Sequence, residues 1–154
     1  MQKQKIFIGS DHAGFSLKSQ IINYFDNKYN LTHEIENIGT YGGIKCDYPD
    51  IAHKLSEKVI KNNCLGILIC GTGIGISIAA NKNKGIRCAL CNNQYMAEMS
   101  RKHNNANVIA LGGRVIGSEI AKQIIDRFIS TKFKNESRHQ VRINKIELSS
   151  TKNT

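Results

Sequence analysis

The sequence is poor in proline, aromatic residues and long apolar runs. It contains one proline, no tryptophan, five tyrosines and five phenylalanines in 154 residues. Proteins that bind single strands without sequence preference stack the bases on aromatic side chains, so this scarcity argues against a nucleic acid partner. No apolar run approaches the roughly 20 residues that a membrane helix needs. We therefore expect neither a nucleic acid nor a membrane as partner.

The charge balance is basic but not diagnostic. The net charge is +10, and 40% of the residues are hydrophobic, as in an ordinary globular protein. A positive surface attracts nucleic acid or a phosphorylated metabolite, and it is also compatible with a merely solvated face. The short polar start leads directly into a strand pattern, so we expect no secretory signal and a cytoplasmic location. The length predicts a single domain over 1–148, followed by a polar tail, 149–154, that frays.

Five cysteines in a chain with no visible secretory signal make disulfides improbable. Cys88 and Cys91 have the spacing of a redox or zinc motif. They lie, however, in an apolar, strand-like run, where residues three apart point to opposite faces. Two small buried residues are the favoured interpretation.

Short apolar runs alternate with amphipathic segments along the whole chain. The predicted strands are Lys5–Gly9, Leu31–Ile38, Leu65–Cys70, Ile86–Cys91 and Val108–Leu111. The predicted helices are Phe15–Tyr24, Asp50–Asn62, Ser77–Lys82, Gln94–Lys102 and Ser118–Ile129, with weaker helical character over 138–148. Such alternation implies an α/β fold with a parallel sheet and helices on both faces. Ligands of these folds bind beyond the carboxyl ends of the strands, where glycine and polar residues collect here.

The most informative segment is the glycine-rich turn 70–75, which follows a buried strand and precedes a helix. Glycines let a ligand approach the backbone, and free amides at a helix start favour an anion and a thiolate. No Asp or Glu occurs between Gly66 and Gly85, so Cys70 is the one side chain of this turn that can act as a base. The alternative is a cysteine that is simply buried. Thr72 either donates its hydroxyl to the sulfur or caps the turn.

The other candidate site residues can also be explained by simple structural roles. Asp11 and His12 follow the first strand, where Asp11 can cap the helix or both can contact a ligand. His103 ends a helix, so it either interacts with the helix dipole or moves protons. Arg114 follows the last strand. Arg138 and Arg142 are four residues apart and share one helical face. They either bind a phosphate together or form a solvated basic surface.

Taken together, these segments resemble the ribose-5-phosphate isomerase B family, within the group that includes galactose-6-phosphate isomerase subunits. The matching stretches are 9–15 (GSDHAGF), 47–49 (DYP), 67–82 (ILICGTGIGISIAANK), 100–104 (SRKHN), 106–108 (ANV), 112–115 (GGRV) and 138–140 (RHQ). They run in family order over nearly the whole chain. Because Cys70 is retained without a nearby acid, the chain resembles the cysteine branch of the family.

The resemblance implies a Rossmann-like, three-layer α/β/α subunit with a five-stranded parallel sheet. It implies a homodimer with active sites at the subunit interface, which sometimes pairs into a tetramer. The implied reaction interconverts D-ribose 5-phosphate and D-ribulose 5-phosphate with no metal and no organic cofactor.

The resemblance also assigns roles to individual residues. Catalysis falls to Cys70 as the proton acceptor, His103 for ring opening, and Thr72. The implied contacts to the sugar are Asp11, His12, Tyr48, Gly71, Gly73, Gly75 and Asn104. The implied phosphate ligands are His12, Arg114, Arg138 and Arg142. The chain departs from the family at Ser137, where a glycine is frequent.

Two other functions fit the same residues. An isomerase of six-carbon sugar phosphates, such as allose or galactose 6-phosphate, would use the same chemistry in a longer pocket. A non-catalytic phosphate- or nucleotide-binding module would keep the glycine turn and the arginines but would not need a base at Cys70.

Overall fold

The computed structural model describes residues 2–149, in which strands and helices alternate. The strands are β1 (Gln4–Ser10), β2 (His33–Asn37), β3 (Leu65–Cys70), β4 (Cys88–Leu90) and β5 (Val108–Gly112). The helices are α1 (Phe15–Tyr29), α2 (Tyr48–Asn62), α3 (Ile74–Ala80), α4 (Gln94–Asn104), α5 (Ser118–Ser130) and α6 (Ser137–Ser149). No helix within 2–149 is long and apolar enough to cross a membrane.

All five strands form one parallel sheet in the order β2-β1-β3-β5-β4. The central strands, β3 and β5, are almost entirely buried, as strands covered on both faces should be. The outer edge of β4 is short, and the Asn81 side chain pairs with the backbone of Cys88 there. Its amide donates to the Cys88 carbonyl at 2.9 Å and its oxygen accepts the Cys88 N–H at 2.8 Å.

Two apolar clusters lie on opposite faces of the sheet. One joins alternate residues of the sheet to α1, α4 and α5, with Ile21, Phe25 and Phe128 fully buried. The other joins the remaining faces of the strands to α2 and α3, with Leu55 and Ile76 fully buried. Helix α6 packs on the outside of α4. The predicted three-layer α/β/α architecture is therefore confirmed.

Several predicted boundaries were wrong, mostly where glycine or proline was interpreted as a helix breaker. Helix α3 begins at Ile74 rather than Ser77, because Gly75 is accommodated inside it, and it ends at Ala80. Helix α2 begins at Tyr48, since Pro49 falls in the first turn, where a missing N–H costs nothing. Helix α1 continues to Tyr29.

The strand predictions were too long at both edges of the sheet. Strand β2 covers only 33–37 and β4 only 88–90. Leu31 is exposed, whereas Ile38, Ile86 and Cys91 are buried beside the strand ends. The tail predicted for 149–154 lies outside the described residues, apart from Ser149 at the end of α6.

Glycine brings the loops at the carboxyl edge of the sheet into backbone contact. A methyl group added at Gly14 would lie 2.5 Å from the Ile69 carbonyl oxygen, and one at Gly112 would lie 2.7 Å from the Thr72 carbonyl oxygen. The Gly113 amide donates to the Cys70 carbonyl at 2.8 Å. The loops after β1, β3 and β5 therefore form one packed surface.

We expect Gly14→Ala to destabilise the fold by about 1–3 kcal/mol, because its methyl group meets backbone that cannot move aside. The backbone of Gly14 itself (φ −92°) would accept alanine, so the effect isolates the clash. Gly42→Ala is the matched control, since no atom lies within 4 Å of the added carbon. Urea unfolding of both variants measures the difference, and equal stability would contradict the close approach.

Candidate functional site

The turn after β3 places the Cys70 sulfur against a backbone N–H group. Cys70 is 4% exposed, and its Sγ accepts the Gly73 amide at 3.1 Å. Gly73 adopts φ +78°, and a methyl group there would lie 2.6 Å from Leu90 Cδ1. Glycine is thus required at 73 for the turn that directs this N–H at sulfur.

Thr72 is exposed and caps the turn. Its Oγ1 accepts the Ile74 amide at 3.2 Å. This is the structural alternative foreseen for Thr72, and its hydroxyl hydrogen is still available for a ligand.

Tyr48, at the start of α2, packs directly on the glycine turn. A methyl group on Gly75 would lie 2.6 Å from Tyr48 Cζ and 2.8 Å from its hydroxyl oxygen. The ring therefore needs glycine at 75. It forms one wall beside the turn and is 39% exposed.

Asp11 and His12 lie in the loop after β1, beside the Cys70 turn. Asp11 is 5% exposed, and its Oδ1 accepts the Gly14 amide at 3.1 Å, so it closes the turn that leads into α1. The predicted helix cap by Asp11 is wrong, because the N-cap of α1 is Gly14. The Asp11 amide donates to the Ile69 carbonyl, which holds the loop against the end of β3. His12 Nδ1 accepts the Cys46 amide at 3.3 Å. In its neutral form, His12 therefore carries its proton on Nε2.

Arg114 completes this group from the loop after β5. Its amide donates to the Gly71 carbonyl at 2.9 Å, and its Nη1 lies 3.6 Å from where a Gly71 side chain would begin. We call the whole group the cysteine half-site: Asp11, His12, Tyr48, Cys70, Gly71, Thr72, Gly73, Gly75 and Arg114.

The other predicted residues lie elsewhere. They end α4 and begin α6, and we call them the histidine half-site: His103, Asn104, Arg138 and Arg142. The Asn104 carbonyl accepts Arg87 Nε at 3.0 Å, and the Arg87 carbonyl accepts the Asn107 amide at 3.1 Å. Asn104 is therefore at the amino edge of the sheet, where β4 and β5 begin.

The strand register separates the two half-sites within one chain. Cys70 pairs with Gly112, the last residue of β5, whereas Cys88 pairs with Val108, the first. Four residues along a strand and two strand spacings across the sheet put Cys70 on the order of 15 Å from the region of Asn104. The residues predicted to share one site therefore do not meet within a single chain.

The histidine half-site contains a stacked pair of imidazoles. The rings of His103 and His139 lie 4.4 Å apart at 17°. His139 is 3% exposed, and its Nε2 has no hydrogen-bond partner among the described residues. Burial, then the positive charges of His103, Arg138 and Arg142, lower the pKa of His139. Sequence reasoning gave His139 no role, although it stands between the two predicted arginines.

Arg138 and Arg142 lie on α6, as predicted. Arg138 Nε is held by Glu136 Oε2 at 2.9 Å and is 63% exposed at its side chain. Arg142 is also exposed. Arg114 belongs to the other half-site, so the three arginines among the predicted phosphate ligands are not together in one chain.

Cys88 and Cys91 point to opposite sides of the sheet, as predicted. Cys88 packs with the α2–α3 cluster and Cys91 with the α1–α4–α5 cluster. Burial raises the pKa of both thiols, to about 11 for Cys91, where a hydrogen bond with Ser100 partly opposes the rise. No group of three or more His, Cys, Asp or Glu residues within 2–149 is arranged to hold a metal ion.

We expect Cys88 and Cys91 to react with iodoacetamide at pH 8 at least about tenfold more slowly than glutathione, because their raised pKa values leave little thiolate. Their reactivity should increase as the pH approaches 11. Peptide mass spectrometry after timed alkylation measures each site. Cys91 is buried and Cys88 only half-buried, so the expected burial of both residues holds for Cys91 alone. Rates equal to that of the free thiol would contradict the raised pKa values.

An open parallel α/β fold with a thiol and a glycine-rich turn at its strand ends suits the binding of a small anionic metabolite. The family model for Ribose/Galactose Isomerase matches residues 6–146. The chain belongs to this family and is a sugar phosphate isomerase.

Three similar proteins indicate how close the relationship is. Ribose-5-phosphate isomerase B of Escherichia coli is 42% identical over 144 residues, which is 93% of this chain and 94% of that protein. D-Erythrulose-4-phosphate isomerase of Pectobacterium atrosepticum is 44% identical over 129 residues, or 83% and 84% of the two chains. The structure of Clostridium thermocellum ribose-5-phosphate isomerase B has 46% identity and a TM-score of 0.93, covering 98% of this chain and 100% of the other.

Proposed function

We propose that the protein interconverts D-ribose 5-phosphate and D-ribulose 5-phosphate. The observation that carries the proposal is the buried Cys70 sulfur, which accepts the Gly73 amide at the end of a strand. A phosphate- or nucleotide-binding module would not need a thiol there, and the family relationship further favours catalysis. The relatives from E. coli and C. thermocellum are both named ribose-5-phosphate isomerase B.

The proposed reaction moves protons and needs no net oxidant. His103 takes the proton of the anomeric hydroxyl and returns it to the ring oxygen, so the furanose opens to the aldehyde. The Cys70 thiolate then removes the C2 proton, and the electron pair of that bond forms the C1–C2 double bond of a cis-enediolate. The proton of the O2 hydroxyl moves to O1 and the thiol returns its proton to C1, giving the ketose and regenerating the thiolate.

The amides of the 70–75 turn supply the electrostatic part of catalysis. Negative charge develops on O1 of the sugar during C2 deprotonation, and N–H donors fixed in advance stabilise it. Each well-placed donor contributes roughly 3 kcal/mol to such a transition state. Arginine binding of the remote phosphate would hold C1 and C2 beside the sulfur.

We further propose a homodimer in which each active site takes one half-site from each subunit. In one chain the proposed base and the proposed ring-opening group lie at opposite edges of the sheet. A two-fold axis brings the same two surfaces together twice, so it would pair the cysteine half-site of each subunit with the histidine half-site of the other. Next to the cysteine half-site, α3 exposes Ile74 (52%) and Ile78 (57%), an apolar surface that a second copy would cover.

We expect the purified protein to isomerise ribose 5-phosphate equally well with and without a chelator, and Cys70→Ala to lose about 10³-fold in kcat, as befits a missing base. Cys64→Ala, a half-buried cysteine at the amino end of β3, is the matched control and should retain activity. Circular dichroism checks that both variants fold. Near-normal turnover by Cys70→Ala would reject the assignment.

The same assay discriminates the substrate alternatives. Allose 6-phosphate and galactose 6-phosphate test a six-carbon specificity. Because one relative is named for a four-carbon substrate, erythrulose 4-phosphate belongs in the comparison. Higher kcat/KM for any of these sugars than for ribose 5-phosphate would reassign the substrate.

The shared-site proposal predicts complementation between two inactive variants. Co-expressed Cys70→Ala and His103→Ala chains should regain up to about one quarter of wild-type activity, because half of the dimers are mixed and each has one intact site. Each variant alone remains nearly inactive. No recovery, with mixed dimers verified by native mass spectrometry, would place both residues of each site in one subunit.

A further inference from the structure

His139 is a buried imidazole that lies directly against the proposed ring-opening group. It lies in the first turn of α6 and is 3% exposed, and its ring is 4.4 Å from the His103 ring at an angle of 17°. Its Nε2 is buried without a hydrogen-bond partner within residues 2–149, since Glu136 Oε2 is 3.8 Å away. A buried nitrogen without a partner costs free energy that an apolar side chain would avoid. The ring must therefore have a use other than hydrogen bonding within its own chain.

The His103 ring is oriented by this stack. His103 is half-buried, and within the part of the chain that the structure describes its nitrogens have no hydrogen bond and His139 is its one aromatic neighbour. The ring of His12, in contrast, is held through Nδ1 by the Cys46 amide. A face-to-face stack fixes the plane of a ring and leaves the nitrogens on its rim available to a ligand. His139 thus orients His103 without occupying the atoms that would carry protons.

Helix α6 is held against α4 independently of this stack. The Lys134 amide, just before α6, donates to the Lys102 carbonyl at 3.2 Å. In the middle of α6, Ile143 is 5% exposed. Near the end of the helix, Glu147 Oε1 accepts Arg87 Nη1 at 2.5 Å. Removal of the stacked ring should therefore leave α6 and its two arginines in place.

The surroundings of His139 keep its ring neutral at pH 7. Burial, then the positive charges of His103, Arg138 and Arg142, lower its pKa, and Glu136 opposes them only in part. In the proposed reaction His103 is positive while it holds the anomeric proton. A neutral aromatic face attracts that charge, whereas a second protonated ring at this distance would repel it.

We propose that His139 is a positioning residue that orients the His103 ring, by stacking on it, for the opening of the sugar. The inference rests on the proposed function for the step that His103 performs. It deepens that function because it separates two tasks of the histidine half-site: α6 binds the phosphate through its arginines and orients the proton carrier through His139.

Three substitutions separate the ring of His139 from its nitrogen. His139→Phe keeps a flat neutral ring and removes the unpaired nitrogen. His139→Gln keeps a polar nitrogen of similar reach without a ring, and His139→Leu keeps neither. The Gln and Leu variants should both lose about 10–100-fold in kcat for ribose 5-phosphate, the effect of a misplaced catalytic group, and the Phe variant should restore it to within about threefold. Circular dichroism checks that each variant folds.

Two further measurements distinguish positioning from a general structural role. The Kd for inorganic phosphate should stay within about twofold of the wild-type value in all three variants, because no phosphate contact is lost. Exchange of a C1 proton of ribulose 5-phosphate in deuterated water should change as little. This ketose cannot close to a furanose, since its O5 carries the phosphate, so the exchange needs the Cys70 step but no ring opening.

Proton NMR of the His103 ring tests the stack without any substrate. A ring lying on His103 displaces the Hδ2 and Hε1 resonances upfield. This displacement should be present in the wild type and in His139→Phe. It should disappear in His139→Gln and His139→Leu, whose resonances should approach those of an exposed histidine.

The proposal is overturned if His139→Leu keeps wild-type kcat, or if His139→Gln is active while His139→Phe is not, since the nitrogen would then be the working group. A fall of phosphate affinity or C1 exchange in parallel with kcat, or failure of all three variants to fold, would make His139 a structural residue and also overturn it. Absence of both isomerisation and C1 exchange in the wild type would defeat the proposed function instead. The NMR comparison would still decide whether His139 orients His103.

Discussion

The site depends on backbone-to-backbone contact between the loops at the carboxyl edge of the sheet. Gly14, Gly112 and Gly113 have no side chains, so three loops approach to distances that any Cβ would prevent. The contact fixes the direction of the Gly73 amide toward sulfur and the position of Arg114 beside Gly71. A rigid frame of this kind suits a reaction that relies on groups oriented before the substrate arrives.

The alternation of elements was predictable because each strand is a short apolar run and each long helix has one apolar face. The boundaries of helices near glycine and proline were harder to predict. Gly75 is inside a helix because the ring of Tyr48, 27 residues earlier in the chain, covers it, and Pro49 is accepted in a first turn. Such choices are made by tertiary packing, which local sequence patterns do not contain.

The site was predictable as a set of residues but not as an arrangement. The carboxyl ends of the predicted strands indicated that the Cys70 and Asp11 loops form the site, and the structure brings these two loops together. The division into two half-sites follows from the direction of α4, which starts at the carboxyl edge and ends at His103 on the amino edge. His139 was missed because a histidine beside arginines ordinarily faces water with them, and nothing in its spacing signals burial against a second ring.

The pairing of Asn81 with Cys88 limits strand addition at the outer edge of β4. An unpaired edge would invite another strand and extend the sheet across subunits. Here one amide side chain already occupies the hydrogen-bonding groups of that residue. A further strand could pair at this position only by displacing the Asn81 side chain from Cys88.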